Sequence, residues 1–213
     1  MSPIIVSFYP GTSGRFLSAI CHMLYHNNTE EIKWNDDNSA HNYNKFYDTY
    51  WKDAPEYFTK DIQFLNSKMI FKYLDLEPNK IMPTHALPDF KLIKEKSPNC
   101  KIIIISCNKH NFPEIALNLV LKNKSIIGTD YHQKVLNIET HKFRSIKIPD
   151  HYKDNTLVIM YDEIYKPIDN TYIGLEKISK FLNLDYNNTI LNNYKSYIEG
   201  RKLLLQKNNI ANI

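Results

Sequence analysis

Gly11, Thr12, Ser13, Gly14 and Arg15 follow one another directly, and together they have the chemistry of an anion cradle. A short apolar run, Ile4-Ile-Val-Ser-Phe8, leads into them through Tyr9-Pro10, and an apolar helical pattern opens at Phe16. Glycines let the backbone come close to an oxyanion, and the N–H groups at a helix start point at it. Thr12 and Ser13 add hydroxyl donors, and Arg15 adds a fixed charge with a forked donor set. The chain has only five glycines, so two in one turn is a concentration that points to phosphate or sulfate. The same residues also suit a plain strand-to-helix connection, with Ser13 as N-cap. A Walker A loop requires Gly-Lys-Ser/Thr at its end, whereas Gly14 is followed by Arg15-Phe16, which argues against an ordinary ATPase or GTPase.

Other reactive side chains cluster after apolar runs. Thr84-His85 closes Lys80-Ile-Met-Pro-Thr-His85, with Pro83 and Pro88 stiffening the turn. His110-Asn111 lies beyond Lys101-Ile-Ile-Ile-Ile-Ser-Cys107, and Tyr161-Asp-Glu163 follows Thr156-Leu-Val-Ile-Met160. Histidine titrates near neutral pH, which makes His85 the candidate general base. No His, Cys, Asp or Glu spacing suggests a metal site. Cys21, Cys100 and Cys107 are odd in number and lack metal-type spacing, so reduced thiols in an intracellular compartment are expected.

The elements that must position these residues alternate. Strands are expected from Ile4 up to Tyr9-Pro10, at Lys101–Cys107 and at Thr156–Met160, with Met69–Tyr73 and Lys80–His85 as candidate strands or strand ends. Helices are expected over Phe16–Tyr25, Pro88–Lys96, Phe112–Lys122, Tyr172–Leu182 and Thr189–Leu205. The four-isoleucine run reads as a buried parallel strand. Strands alternating with helices give a three-layer α/β/α fold with a mostly parallel sheet. In such sheets ligands bind at the carboxyl ends of the strands, where all four polar clusters fall. Residues 33 to 60, polar and aromatic without a clean period, read as an insertion into a single domain spanning 1–213.

Composition narrows the classes. Hydrophobic content of 43% and charged content of 23% are those of a globular chain, and a net charge of +4 suits an anionic ligand. No dense Lys/Arg tract marks a nucleic-acid footprint, and Ile102 to Ile105 is far too short to span a bilayer. No secretion signal is visible at the N-terminus, and a soluble, cytoplasmic protein is expected.

Four segments, in order, resemble the sulfotransferase family, the P-loop-related enzymes that use 3′-phosphoadenosine 5′-phosphosulfate. Tyr9-Pro-Gly-Thr-Ser-Gly-Arg-Phe-Leu17 is similar to the family's Tyr-Pro-Lys-Ser-Gly-Thr-Thr-Trp-Leu. Pro83-Thr-His-Ala-Leu-Pro88 resembles its Lys-Thr-His-Leu-Pro. His110-Asn-Phe-Pro-Glu-Ile-Ala-Leu-Asn118 resembles its Arg-Asn-Pro-Lys-Asp-Val-Ala-Val-Ser. Tyr161-Asp-Glu-Ile, with Lys180-Phe-Leu-Asn183 later, resembles its Tyr-Glu-Asp-Leu and Phe-Leu-Gly.

The resemblance implies a P-loop-like fold and sulfuryl transfer from that donor to a hydroxyl or amine acceptor, without a metal. Gly11, Thr12, Ser13, Gly14, Arg15 and Phe16 would hold the 5′-phosphosulfate. His110 and Asn118 would stand at the 3′-phosphate and Tyr161 beside the adenine, with His85 and Arg15 as the catalytic pair. The chain departs from the pattern where Gly11 and Pro83 replace lysines, and the family's late Arg-Lys-Gly loop is reduced to Arg201-Lys202. Two alternatives stay open: a small-molecule or nucleoside kinase with an atypical phosphate loop, and a non-catalytic binding or structural protein. Gly14→Val is expected to abolish nucleotide binding and spare the fold.

Overall fold

The structure is a computed structural model that describes residues 1–9, 11–34, 78, 80–116, 141, 143, 145–168 and 171–207. Four strands form a parallel sheet: β1 (Ile4–Ser7), β2 (Ile81–Thr84), β3 (Lys101–Ser106) and β4 (Thr156–Met160). Their order is β2-β1-β3-β4, with Ser7 opposite both Thr84 and Ile104, and Ser106 opposite Met160. All four carboxyl ends therefore lie on one edge.

Period-two alternation sends successive isoleucines to opposite faces, and both faces are buried. Ile4, Val6, Ile103, Ile105 and Ile159 join one apolar cluster with Phe16, Leu17 and Ile20 of α1 (Gly14–Tyr25). The same cluster takes Leu175 and Ile178 of α4 (Ile173–Leu182) and Tyr194 and Ile198 of α5 (Asn188–Lys207). Ile5, Met82, Ile102 and Ile104 meet Phe90 and Ile93 of α2 (Phe90–Lys96), together with Tyr152, on the other face. The fold is α/β, with elements packed on both sides of a parallel sheet. Each fully buried isoleucine contributes about 1.5–3 kcal/mol. Asp89 caps α2 by accepting from the Leu92 amide, and Asn183 in the left-handed region ends α4.

The expected strands match closely, and β4 has the expected bounds. Helix α1 begins at Gly14 rather than Phe16, so the anion turn and the first helical turn overlap. Residues 112–116 are helical, and the rest of that expected helix lies outside the described residues, as do Met69–Tyr73 and most of the expected insertion. A five-residue helix, α3 (Tyr161–Tyr165), follows β4 directly. The small hairpin of β5 (Pro167–Ile168) and β6 (Thr171–Tyr172) was not expected, since two-residue strands carry no periodicity. Among the described residues no helix is long and apolar enough to cross a membrane, and Cys21, Cys100 and Cys107 are all buried.

Candidate functional site

The turn leaving β1 is built by its own hydrogen bonds. The amide and the hydroxyl of Thr12 both donate to the Tyr9 carbonyl, at 3.2 and 2.6 Å. Thr12 is fully buried, so its hydroxyl hydrogen closes the turn instead of facing a ligand. Gly11 has φ 86°, a conformation that glycine adopts without a Cβ penalty, and Ser13 carries φ 62° before α1. The Leu17 amide then donates to the Ser13 carbonyl at 3.1 Å. As at any helix start, the first amides of α1 have no acceptor within the helix.

Gly14 serves packing. A Cβ there would lie 1.9–2.4 Å from the ring carbons of Phe8, so that ring occupies the space a side chain would need. The expectation that Gly14→Val spares the fold is corrected by this contact: Gly14 is buried beneath Phe8 and is not a surface loop residue. Phe16 also faces inward. Its ring stacks on Tyr197 with centroids 3.7 Å apart and meets Trp34 edge-on, leaving its backbone as the part at the turn. Arg15 is half-buried on the first turn of α1.

Two histidine groups flank this turn, one beyond β2 and one beyond β3. On the β2 side, His85 Nδ1 lies 3.2 Å from the Phe8 carbonyl oxygen, and its ring meets the Phe8 ring edge-on at 4.5 Å. Ser7 Oγ donates to the Ala86 carbonyl and the Ala86 amide donates to Thr84 Oγ1, which ties His85 to the end of β1. On the β3 side, His110 Nε2 lies 2.9 Å from Asp162 Oδ2, and Asn111 Nδ2 donates to Asp162 Oδ1 at 2.5 Å. Asp162 sits on α3, so the β3–β4 pairing brings these residues together across 52 positions of chain. The sequence offers Asp162 and Glu163 alike for acid–base work or for capping the turn that follows; Glu163 takes the cap, accepting from the Met160 amide.

Beneath the turn runs a buried polar chain that the sequence did not reveal. Ser13 Oγ shares a 2.6 Å hydrogen bond with the Tyr165 hydroxyl and accepts from the Tyr197 hydroxyl at 3.3 Å. Tyr161, expected at an adenine, is 1% exposed and donates to Glu114 Oε1 at 2.6 Å. Arg201 Nε and Nη2 donate to the same carboxylate at 3.3 Å. Burial pushes the Glu114 carboxyl above its ordinary range, while the Arg201 charge and the hydrogen bonds pull it back in part. The available signal was the stripe of Tyr194, Tyr197, Ile198, Arg201 and Leu205 on one face of α5, where an arginine among apolar neighbours implies a buried partner.

The structure thus brings Gly11–Phe16, His85 and His110 to one sheet edge, while Asn118 lies outside the described residues. Among the described residues no group of three or more His, Cys, Asp or Glu side chains is placed to hold a metal. The chain matches no protein-family model and no curated protein sequence.

Proposed function

We propose that the chain is a divergent sulfotransferase-like protein on a P-loop-like scaffold, moving a sulfuryl group from 3′-phosphoadenosine 5′-phosphosulfate to a hydroxyl or amine. One observation carries this reading: the glycine turn enters α1 at the carboxyl edge of the parallel sheet, with a histidine on either side. The amides opening α1 and the Arg15 guanidinium suit the anionic 5′ end of such a donor. The bound donor supplies the activated sulfuryl group. The chain's own part is to orient the acceptor and to take its proton at one of the two histidines.

The residues fit the 5′ end better than the 3′-phosphate. His110 is paired with Asp162, and Arg201 is paired with Glu114 inside the fold, so neither presents an uncompensated positive charge. Donor affinity therefore rests on the turn. Calorimetric titration of the metal-free protein with 3′,5′-adenosine bisphosphate tests this. Saturable binding is expected, and silence with the bisphosphate but heat with ATP and Mg²⁺ would replace the reading by the kinase one.

A second reading, a binding or structural protein on the same scaffold, is favoured by the loop hydroxyls. Thr12 bonds back to Tyr9, and Ser13 is held by Tyr165 and Tyr197, so both serve the fold. Silence with both nucleotides would favour it.

A further inference from the structure

We propose that His22 and His26, on the last turn of α1, form a chelating site for a divalent transition-metal cation of the class that prefers imidazole, Zn²⁺ or Cu²⁺. The proposal stands apart from the transferase reading. The expectation that no spacing suits a metal is amended here: His22-Met-Leu-Tyr-His26 becomes a chelating spacing once the segment is helical. Four residues make about one turn, so both side chains rise from one face. The intervening Met23, Leu24 and Tyr25 are buried, while His26 is exposed and His22 half-buried, which puts the pair on the outer face of the helix. Their ring centroids are 4.2 Å apart, with the planes at 38°. A tetrahedral cation bound at about 2.0–2.1 Å by one nitrogen of each ring asks for nitrogens roughly 3–3.5 Å apart, a span that rings at this separation close by side-chain rotation.

The backbone beneath the pair is fixed without help from a metal. The His26 amide donates to the His22 carbonyl at 3.1 Å, so the same two residues close the last helical bond. The Asn28 amide donates to the Met23 carbonyl at 2.9 Å. Asn187 Nδ2 donates to Asn27 Oδ1 and to the Asn28 carbonyl, at 2.9 and 3.0 Å, which ties the helix end to the start of α5. A cation therefore has only side-chain rotamers to order. Charge favours the place as well, because the carbonyls at a helix C-terminus carry the negative end of its dipole. The Tyr25 hydroxyl donates to the Ser2 carbonyl at 2.7 Å, just ahead of β1, and sets this helix end at the amino edge of the sheet. The glycine turn lies at the other end of α1, about 18 Å away over 12 residues. The cation thus clamps a helix end and takes no part in chemistry at the turn, with water filling its remaining positions.

Calorimetric titration of the full chain with Zn²⁺ alone, in wild type, His22→Gln, His26→Gln and His151→Gln, tests the site. Either α1 variant is expected to weaken binding by roughly tenfold or more, since the second imidazole of a pair binds intramolecularly. His151→Gln removes an exposed histidine elsewhere and should leave the affinity unchanged. Cu²⁺ should bind more tightly than Zn²⁺. At one equivalent, its electron paramagnetic resonance spectrum should show two imidazole nitrogens in the wild type and one in His26→Gln. His26 is exposed, so its variant keeps the fold, and Zn²⁺ should raise the melting temperature of the wild type more than that of His26→Gln. Equal Zn²⁺ affinity in wild type and His26→Gln, or an equal loss in His151→Gln, means an adventitious ion only and overturns the proposal. A copper spectrum with a single imidazole nitrogen in the wild type overturns it too.

Discussion

A methyl group placed on Gly14 meets the Phe8 ring at 1.9–2.4 Å, far inside van der Waals contact. The atoms it meets include Cγ, close to the Phe8 backbone, so no small swing of a side-chain tip relieves the clash. Phe8 is itself buried and carries His85 edge-on, and any shift of the ring moves that imidazole as well. Gly14→Ala is therefore expected to destabilise by about 1–3 kcal/mol, the usual cost of overpacking. Denaturant unfolding checks this, and adding Phe8→Leu should make the double variant lose less than the two singles together. Gly11 is constrained differently. Its φ of 86° makes any side chain costly, so Gly11→Lys should cost about 1–2 kcal/mol of stability. An unchanged unfolding midpoint in Gly11→Lys would show that the turn tolerates a side chain there.

Arg201 on α5 and Glu114 in the 112–116 helical stretch are each 4% exposed and join two elements through one carboxylate oxygen. Arg201→Met leaves that carboxylate buried without its cation and is expected to cost about 3–5 kcal/mol, while Arg201→Met with Glu114→Gln should recover part of it. The variant should also respond to pH. Burial lifts the Glu114 pKa above 4.5 and Arg201 is the first influence lowering it again. A carboxyl whose pKa rises on folding stabilises fully below its unfolded value, and the contribution is lost as pH climbs through the folded one. Without Arg201 the folded value rises further, so Arg201→Met should gain more stability than wild type on moving from about pH 7 to about pH 5. Equal gains in unfolding free energy would contradict this. The elements themselves were legible because their signals are local: four isoleucines for β3, a short continuous apolar run for β4, an amphipathic period for α4. The pairings were not. Nothing near Asp162 points to His110, nor anything near Ser13 to Tyr165, 152 positions away, because those contacts exist only once strand order is set. The glycine turn was legible as a strand-to-helix turn, yet the reason for Gly14 lay in a ring packed across it.

At the scale of the molecule, the turn, both histidines and the buried polar chain share one edge of the sheet, so a ligand seated there touches the connections leaving β1, β2, β3 and β4. Binding to the native state alone shifts unfolding by mass action, about 2.7 kcal/mol at a ligand concentration of 100 Kd. For a chain of this size that corresponds to a rise in melting temperature of roughly 5–10 °C. The transferase reading expects this rise with 3′,5′-adenosine bisphosphate in the presence of a chelator, since the turn offers amides and a guanidinium and needs no metal. Adenosine 5′-monophosphate should give nearly the same rise at equal concentration, because His110 and Arg201 already face carboxylates. The difference between the two nucleotides is expected to stay under about tenfold in Kd, or 1.4 kcal/mol. A bisphosphate that binds far more tightly than the monophosphate would mean that other cations hold the 3′-phosphate. A rise confined to ATP with Mg²⁺ would instead place the chemistry among phosphoryl transfers. The net charge of +4 adds a long-range attraction for either nucleotide, which salt screens, whereas contacts made by backbone amides within the turn are screened far less. The extra phosphate adds about 1.5 to 2 negative charges, so raising ionic strength should weaken the bisphosphate more than the monophosphate and narrow the gap between them, and a gap that persists at high salt would locate the discrimination in short-range contacts.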